Sequence, residues 1–190
     1  MKIYPYLRLI WFSLLITAVL NLTALSDSTA VLLAANVLNL LCYAVIVYAL
    51  YRLSGEAAFF SRAFYMRLTS VVLIALALIC MQFAASSAML VNFLSLLSMA
   101  GSIAGLLGEY FMYWGLDARI LPCGYAYPAR RIRWCLYAPL IGSFVATLLI
   151  MTWQVLLGVL VQVACQFVPV VLLGQYMRAV RDRENDPLCF

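Results

Sequence analysis

The sequence predicts an all-α integral membrane protein: a six-transmembrane-helix bundle made of three helical hairpins, with the N and C termini both cytoplasmic. Three observations lead there. Of 190 residues, 67% are hydrophobic and 10% charged, and the mean hydropathy is +1.05, outside the range of water-soluble domains. The charged positions leave room for six apolar segments close to the roughly 20 residues that cross a hydrocarbon core. With six spans, all 12 Lys and Arg residues fall on one side, which the positive-inside rule assigns to the cytoplasm.

The spans follow in order. The first covers about 8–25, behind Lys2 and Arg8. Small residues at Ala24 and Ser26 imitate a signal-peptide cleavage site, but the apolar stretch is long for one, so an uncleaved anchor is expected. The second span covers 30–51. Between 68 and 116 the only charge is Glu109, and 49 residues are too many for one helix, so "AASSA" at 84–88 is read as a turn between spans at 66–84 and 89–114. The uncharged stretch 134–177 divides in the same way at "MTWQ", 151–154, into spans at 134–151 and 155–177. Residues 178–190 form a cytoplasmic tail that prolongs the last helix until Pro187, with Arg178 and Asp182 placed four apart as helix-surface partners. The whole chain, 1–190, is expected to be a single membrane domain.

The connections are unequal. Those facing outward are a few residues long and carry only Asp27. Of the inner ones, "RLSGEAAFFSRAFYMR", 52–67, mixes aromatic and charged residues as a short interfacial helix would. In 117–134, Pro122, Gly124 and Pro128 argue for a folded turn. Arg119, Arg130, Arg131 and Arg133 there make a basic cytoplasmic face expected to meet anionic lipid headgroups, a protein partner or a second copy of the chain. Tyrosines near the inner helix ends, among them Tyr113, Tyr125, Tyr127 and Tyr176, are expected as headgroup anchors. The six cysteines lie within spans or on the inner side, which argues against an extracellular disulfide scaffold.

Absences narrow the function. There is no histidine, the only lysine is Lys2, and Glu109 is the only acid in a span. That removes the commonest general base, a Ser-Lys dyad within the spans and a paired-carboxylate site, so catalysis is not expected. No motif points to a cofactor, a metal or nucleic acid.

Three polar features remain. Ser98, Gly101, Gly105 and Gly108 fall within an arc of about 80° on a helix, a small-residue stripe suited to close helix packing. Glu109 points about 40° away from Gly105. In an antiparallel hairpin turning near 86–87, the position facing Glu109 is about residue 64, one turn from Arg67. The pair is then either a structural pin or a cation or proton site near the cytoplasmic mouth. Finally, Asn36 with Asn39 and Gln162 with Gln166 place two amide pairs toward the midplane, as interhelical hydrogen bonds or as contacts for a solute.

The expected function is that of a small transporter, or a membrane component of a transport system, for a neutral or zwitterionic solute. The alternative is a non-catalytic interaction or regulatory protein working through its basic, Tyr-rich face. The expected location is a cell membrane, the bacterial cytoplasmic membrane.

Overall fold

The computed structural model describes residues 2–21, 29–81 and 88–185. Its helices are α1 (Tyr4–Leu20), α2 (Thr29–Leu53), α3 (Ala58–Met81), α4 (Ala88–Cys123), α5 (Trp134–Met151) and α6 (Val155–Glu184), with one 3-10 turn at Arg131–Arg133. There is no strand among the described residues. Five helices, α2 to α6, are long and apolar enough to cross a membrane, and α1 is a shorter apolar helix of 17 residues. The chain is a multi-pass membrane protein. Residues 22–28, with Asp27, and 82–87, where two turns are expected, lie outside the described residues, as do Pro187 and Cys189.

Neighbouring helices pack in chain order, and contact between α1 and α6 closes the ring. The pairs α3/α4 and α5/α6 are the closest, for a reason visible in their glycines. A Cβ on Gly101 would stand 2.9 Å from Ile74 Cγ1, and one on Gly108 would stand 3.2 Å from the Arg67 backbone nitrogen. Gly115 meets Phe59 and Phe60 in the same way. On the other pair, Gly142 faces Cys165, and a Cβ on Gly158 would come within 2.9 Å of the Ala146 carbonyl oxygen. Small residues let apolar helices approach where no hydrophobic force separates them from lipid. Ser98 does not belong to this face. It is exposed, and the packed stripe continues from Gly108 to Gly115 instead.

The tight core occupies the arginine-bearing end. Ile3, Leu7 and Ile10 of α1, Leu50 and Leu53 of α2, Phe60 of α3, Met112 to Leu116 of α4 and Leu173 to Val180 of α6 supply it. Tyr113, Tyr125, Tyr127 and Tyr176 are buried in it rather than standing at headgroup level. Tyr176 donates its hydroxyl to the Leu116 carbonyl at 3.0 Å, and Tyr127 donates to that of Leu172 at 3.3 Å. Burial pushes the Tyr127 phenol up to about 12, and Tyr125, also hydrogen-bonded near Cys123, to about the same value. Both stay neutral, as a buried phenol should.

Two connections differ from their sequence expectation. Residues 58–81 contain neither Gly nor Pro, so the aromatic segment after Arg52 fuses with α3 instead of forming a separate interfacial helix. Helix α4 runs through Asp117 and Arg119 to Cys123, one residue past Pro122. Gly124, at φ +61°, then ends it, with Tyr125 N–H reaching the Ile120 carbonyl at 3.1 Å. The four arginines of the expected basic face divide accordingly. Arg119 pairs with Glu56 at 2.8 Å. Arg133 pairs with Asp117 at 2.6 Å and lies 4.4 Å over the Trp114 ring. The other Asp117 oxygen takes the backbone N–H of Arg130, held at φ 66°. Only the Arg130 and Arg131 side chains stay exposed. On α6, Asp182 pairs with Arg181 at 3.5 Å, not with Arg178.

The hydrogen bond from Arg119 holds the Glu56 carboxyl below its ordinary 4.5. A depressed carboxyl adds stability above its unfolded pKa, and that increment is lost as pH falls. Arg119→Gln is therefore expected to lower stability at pH 7 by less than about 1 kcal/mol, as for a partly exposed pair. The difference from the wild type should close as unfolding in detergent is followed downward from pH 4.5.

Candidate functional site

The site begins with a side chain that has to be accommodated among apolar helices. Arg67, on α3, is 6% exposed. Its seat is Gly105 on α4. A Cβ there would stand 3.2 Å from Arg67 Nη1, and the Gly105 carbonyl accepts a hydrogen bond from the same nitrogen, also at 3.2 Å. Arg67 Nη2 reaches Glu109 Oε1 at 3.0 Å. The face of the guanidinium lies 4.7 Å from the centre of the Tyr43 ring on α2, a favourable placement for a cation over an aromatic quadrupole. Among the described residues, Nε has no hydrogen-bond partner. Helices α2, α3 and α4 are thereby joined around one charge.

Beyond Glu109 is a cavity of about 150 Å³. Helix α1 contributes Thr17 and Asn21 to its wall, α2 Tyr43, α4 Glu109 and Tyr113, α5 Pro139, and α6 Gln166 and Pro169. Asn21 Nδ2 donates to Gln166 Oε1 at 2.6 Å, leaving the Asn21 carbonyl oxygen and the Gln166 amide nitrogen for other partners. Thr17 Oγ1 is buried close to the Cys42 thiol. Tyr113 belongs both to this wall and to the packed core, so the cavity rests directly on the core at the arginine-bearing end.

No protein-family model, curated protein or solved structure matches the chain.

The two prolines matter to the wall. Each removes a helical N–H donor, Pro139 depriving the Cys135 carbonyl and Pro169 that of Cys165. The backbone around Pro169 finds other partners. Trp11 Nε1 donates to the Val170 carbonyl at 2.7 Å, and Cys135 Sγ lies 3.9 Å from that of Pro169. Among the described residues, no three Cys, Asp or Glu gather as a metal ion would require.

Glu109, Arg67 and Gln166 thus come to one place. Asn36, Asn39 and Gln162 do not. Asn36 is exposed on α2, Asn39 is half-buried with Oδ1 unpartnered, and Gln162 is half-buried on α6 away from the wall. Helix α1 packs against both α2 and α6, so the amide that meets Gln166 comes from Asn21, the residue that ends α1. Asn21, Thr17, Tyr43 and Tyr113 are the site residues that sequence reasoning missed. Asn21 and Thr17 are legible only as polar positions within the first span.

Gly105→Leu is expected to drive the guanidinium from its seat and lower stability by about 1–3 kcal/mol or more. At Gly55 a Cβ would meet nothing within 4 Å, so Gly55→Ala should stay within about 0.5 kcal/mol of the wild type. Unfolding in mixed micelles compares the two.

Proposed function

We propose that the chain is a small transporter, or the membrane component of a transport system, for a neutral or zwitterionic small solute held in the central cavity. In this reading six helices span a bacterial cytoplasmic membrane, both termini lie in the cytoplasm and no catalytic step is involved. One observation carries the proposal: Glu109 faces the cavity while its charge is matched from behind by Arg67.

A matched pair leaves the cavity without net charge, which favours an occupant that is neutral overall. The wall still offers both signs of partner. Glu109 and the Asn21 carbonyl can accept from an ammonium or hydroxyl, whereas the Gln166 amide and the phenols of Tyr43 and Tyr113 can donate to a carboxylate or carbonyl. A cavity of about 150 Å³ suits a small solute. The dense core beneath Tyr113 would close the cytoplasmic side, so in this reading the solute enters from outside. Alternating access then requires the packed end to open.

Light scattering from proteoliposomes challenged with glycine, alanine or glycine betaine tests the reading. Solute-dependent swelling should exceed that of protein-free vesicles, and Gln166→Leu should slow it by roughly five- to tenfold, the effect of one lost hydrogen bond. Equal swelling with and without protein for all three would reject it.

A further inference from the structure

At the arginine-bearing end, α1 and α6 meet along a seam with two adjoining hollows. One, of about 210 Å³, is lined by Tyr4 and Trp11 of α1 and by Gly174, Met177, Arg178 and Arg181 of α6. The other, of about 480 Å³, lies along α1 and is lined by Tyr4, Pro5, Arg8, Leu9 and Phe12. Tyr4 is common to both. Gly174 keeps the first hollow open to Trp11, since a Cβ there would stand 3.1 Å from Nε1.

Of the three arginines on this seam, Arg181 pairs with Asp182 and the other two are unspent. Arg119, Arg133 and Arg67 each have a carboxylate, but among the described residues neither Arg8 nor Arg178 does. Arg8 lies 5.5 Å over the Phe12 ring, which leaves the edge of its guanidinium available for an anion. Below Phe12, Ile16 and Val19 continue the exposed apolar strip on the same side of α1.

We infer that this seam binds one anionic phospholipid, with its phosphate on Arg8 and Arg178 and an acyl chain along Leu9, Phe12, Ile16 and Val19. Arg8 on the apolar hollow and Arg178 on the one adjoining it suit a ligand whose anion is joined to a long hydrocarbon. A free phosphate satisfies only the first half. A soluble acidic peptide would leave the lower strip uncovered, at a depth where lipid is the solvent. Basic hollows between helices near a membrane surface have this chemistry. Arg130 and Arg131 are also exposed, but they flank the connection between α4 and α5 and contribute nothing to this seam.

Native mass spectrometry of the full chain, released from micelles containing palmitoyl-oleoyl phosphatidylglycerol or the matching phosphatidylcholine, tests the site. One phosphatidylglycerol per chain should be retained where phosphatidylcholine is lost. Arg8→Gln with Arg178→Gln should weaken retention roughly thirtyfold, each arginine contributing about fivefold. Arg130→Gln with Arg131→Gln should leave it unchanged. All four side chains are exposed, so neither variant disturbs packing. Equal retention of the two lipids, equal loss in both variants, or displacement by inorganic phosphate would overturn the inference. None of these outcomes depends on solute transport.

Discussion

A guanidinium group buried between apolar helices has to have its charge answered where it stands, because neither water nor lipid will do so. Most of the middle of this bundle follows from that constraint at Arg67. A Cβ at Gly105 would press on the guanidinium and on Ser70 Oγ, and the Gly105 carbonyl and Glu109 accept hydrogen bonds from the guanidinium. Tyr43 covers its face. A stripe of small residues that looks like a generic packing device is therefore also the seat of the only ion pair buried at this level among the described residues.

The same constraint divides the protein into two halves with different tasks. Toward the arginine-bearing end, buried tyrosines and aliphatic side chains from all six helices make a dense plug, tied by the Glu56–Arg119 and Asp117–Arg133 pairs and by Glu184, which accepts the Ile3 N–H at 2.7 Å. On the other side of Tyr113, the wall is made of polar groups that do not exhaust one another, next to two prolines that interrupt the helical ladder. Irregular backbone within membrane helices is tolerated where it lines a cavity or finds other partners. Trp11 supplies one such partner by reaching Val170. The packed end and the cavity occupy different levels of the bundle.

What the sequence could reveal follows from how local each signal is. Apolar length and charge spacing are local, and the all-helical membrane class is legible from them. The Arg67–Glu109 geometry was nearly as accessible, because residues facing each other in an antiparallel hairpin are found by counting from the turn. Contacts between helices distant in the chain gave no such handle. Asn21 and Gln166 are 145 positions apart, and nothing in either segment says that α1 rather than α2 stands against α6. The amides of Asn36, Asn39 and Gln162 share a helix-face logic with Gln166, yet ring order leaves them outside the cavity. The tyrosines were misplaced for a related reason. An aromatic ring near a helix end serves equally as a headgroup anchor or as the filling of a plug, and only the converging neighbours decide between them.

The central claim is that Arg67 and Glu109 act as one unit, and a double-mutant cycle measures that directly. Reversible unfolding of Arg67→Met, Glu109→Gln and the combined variant would be followed in the same mixed micelles. Each single change should destabilise by about 3–5 kcal/mol, because it strands the partner's charge or hydrogen-bonding groups, and the double variant should lose far less than the two together. Additive losses would contradict the account, since the two side chains would then be neighbours without being a pair.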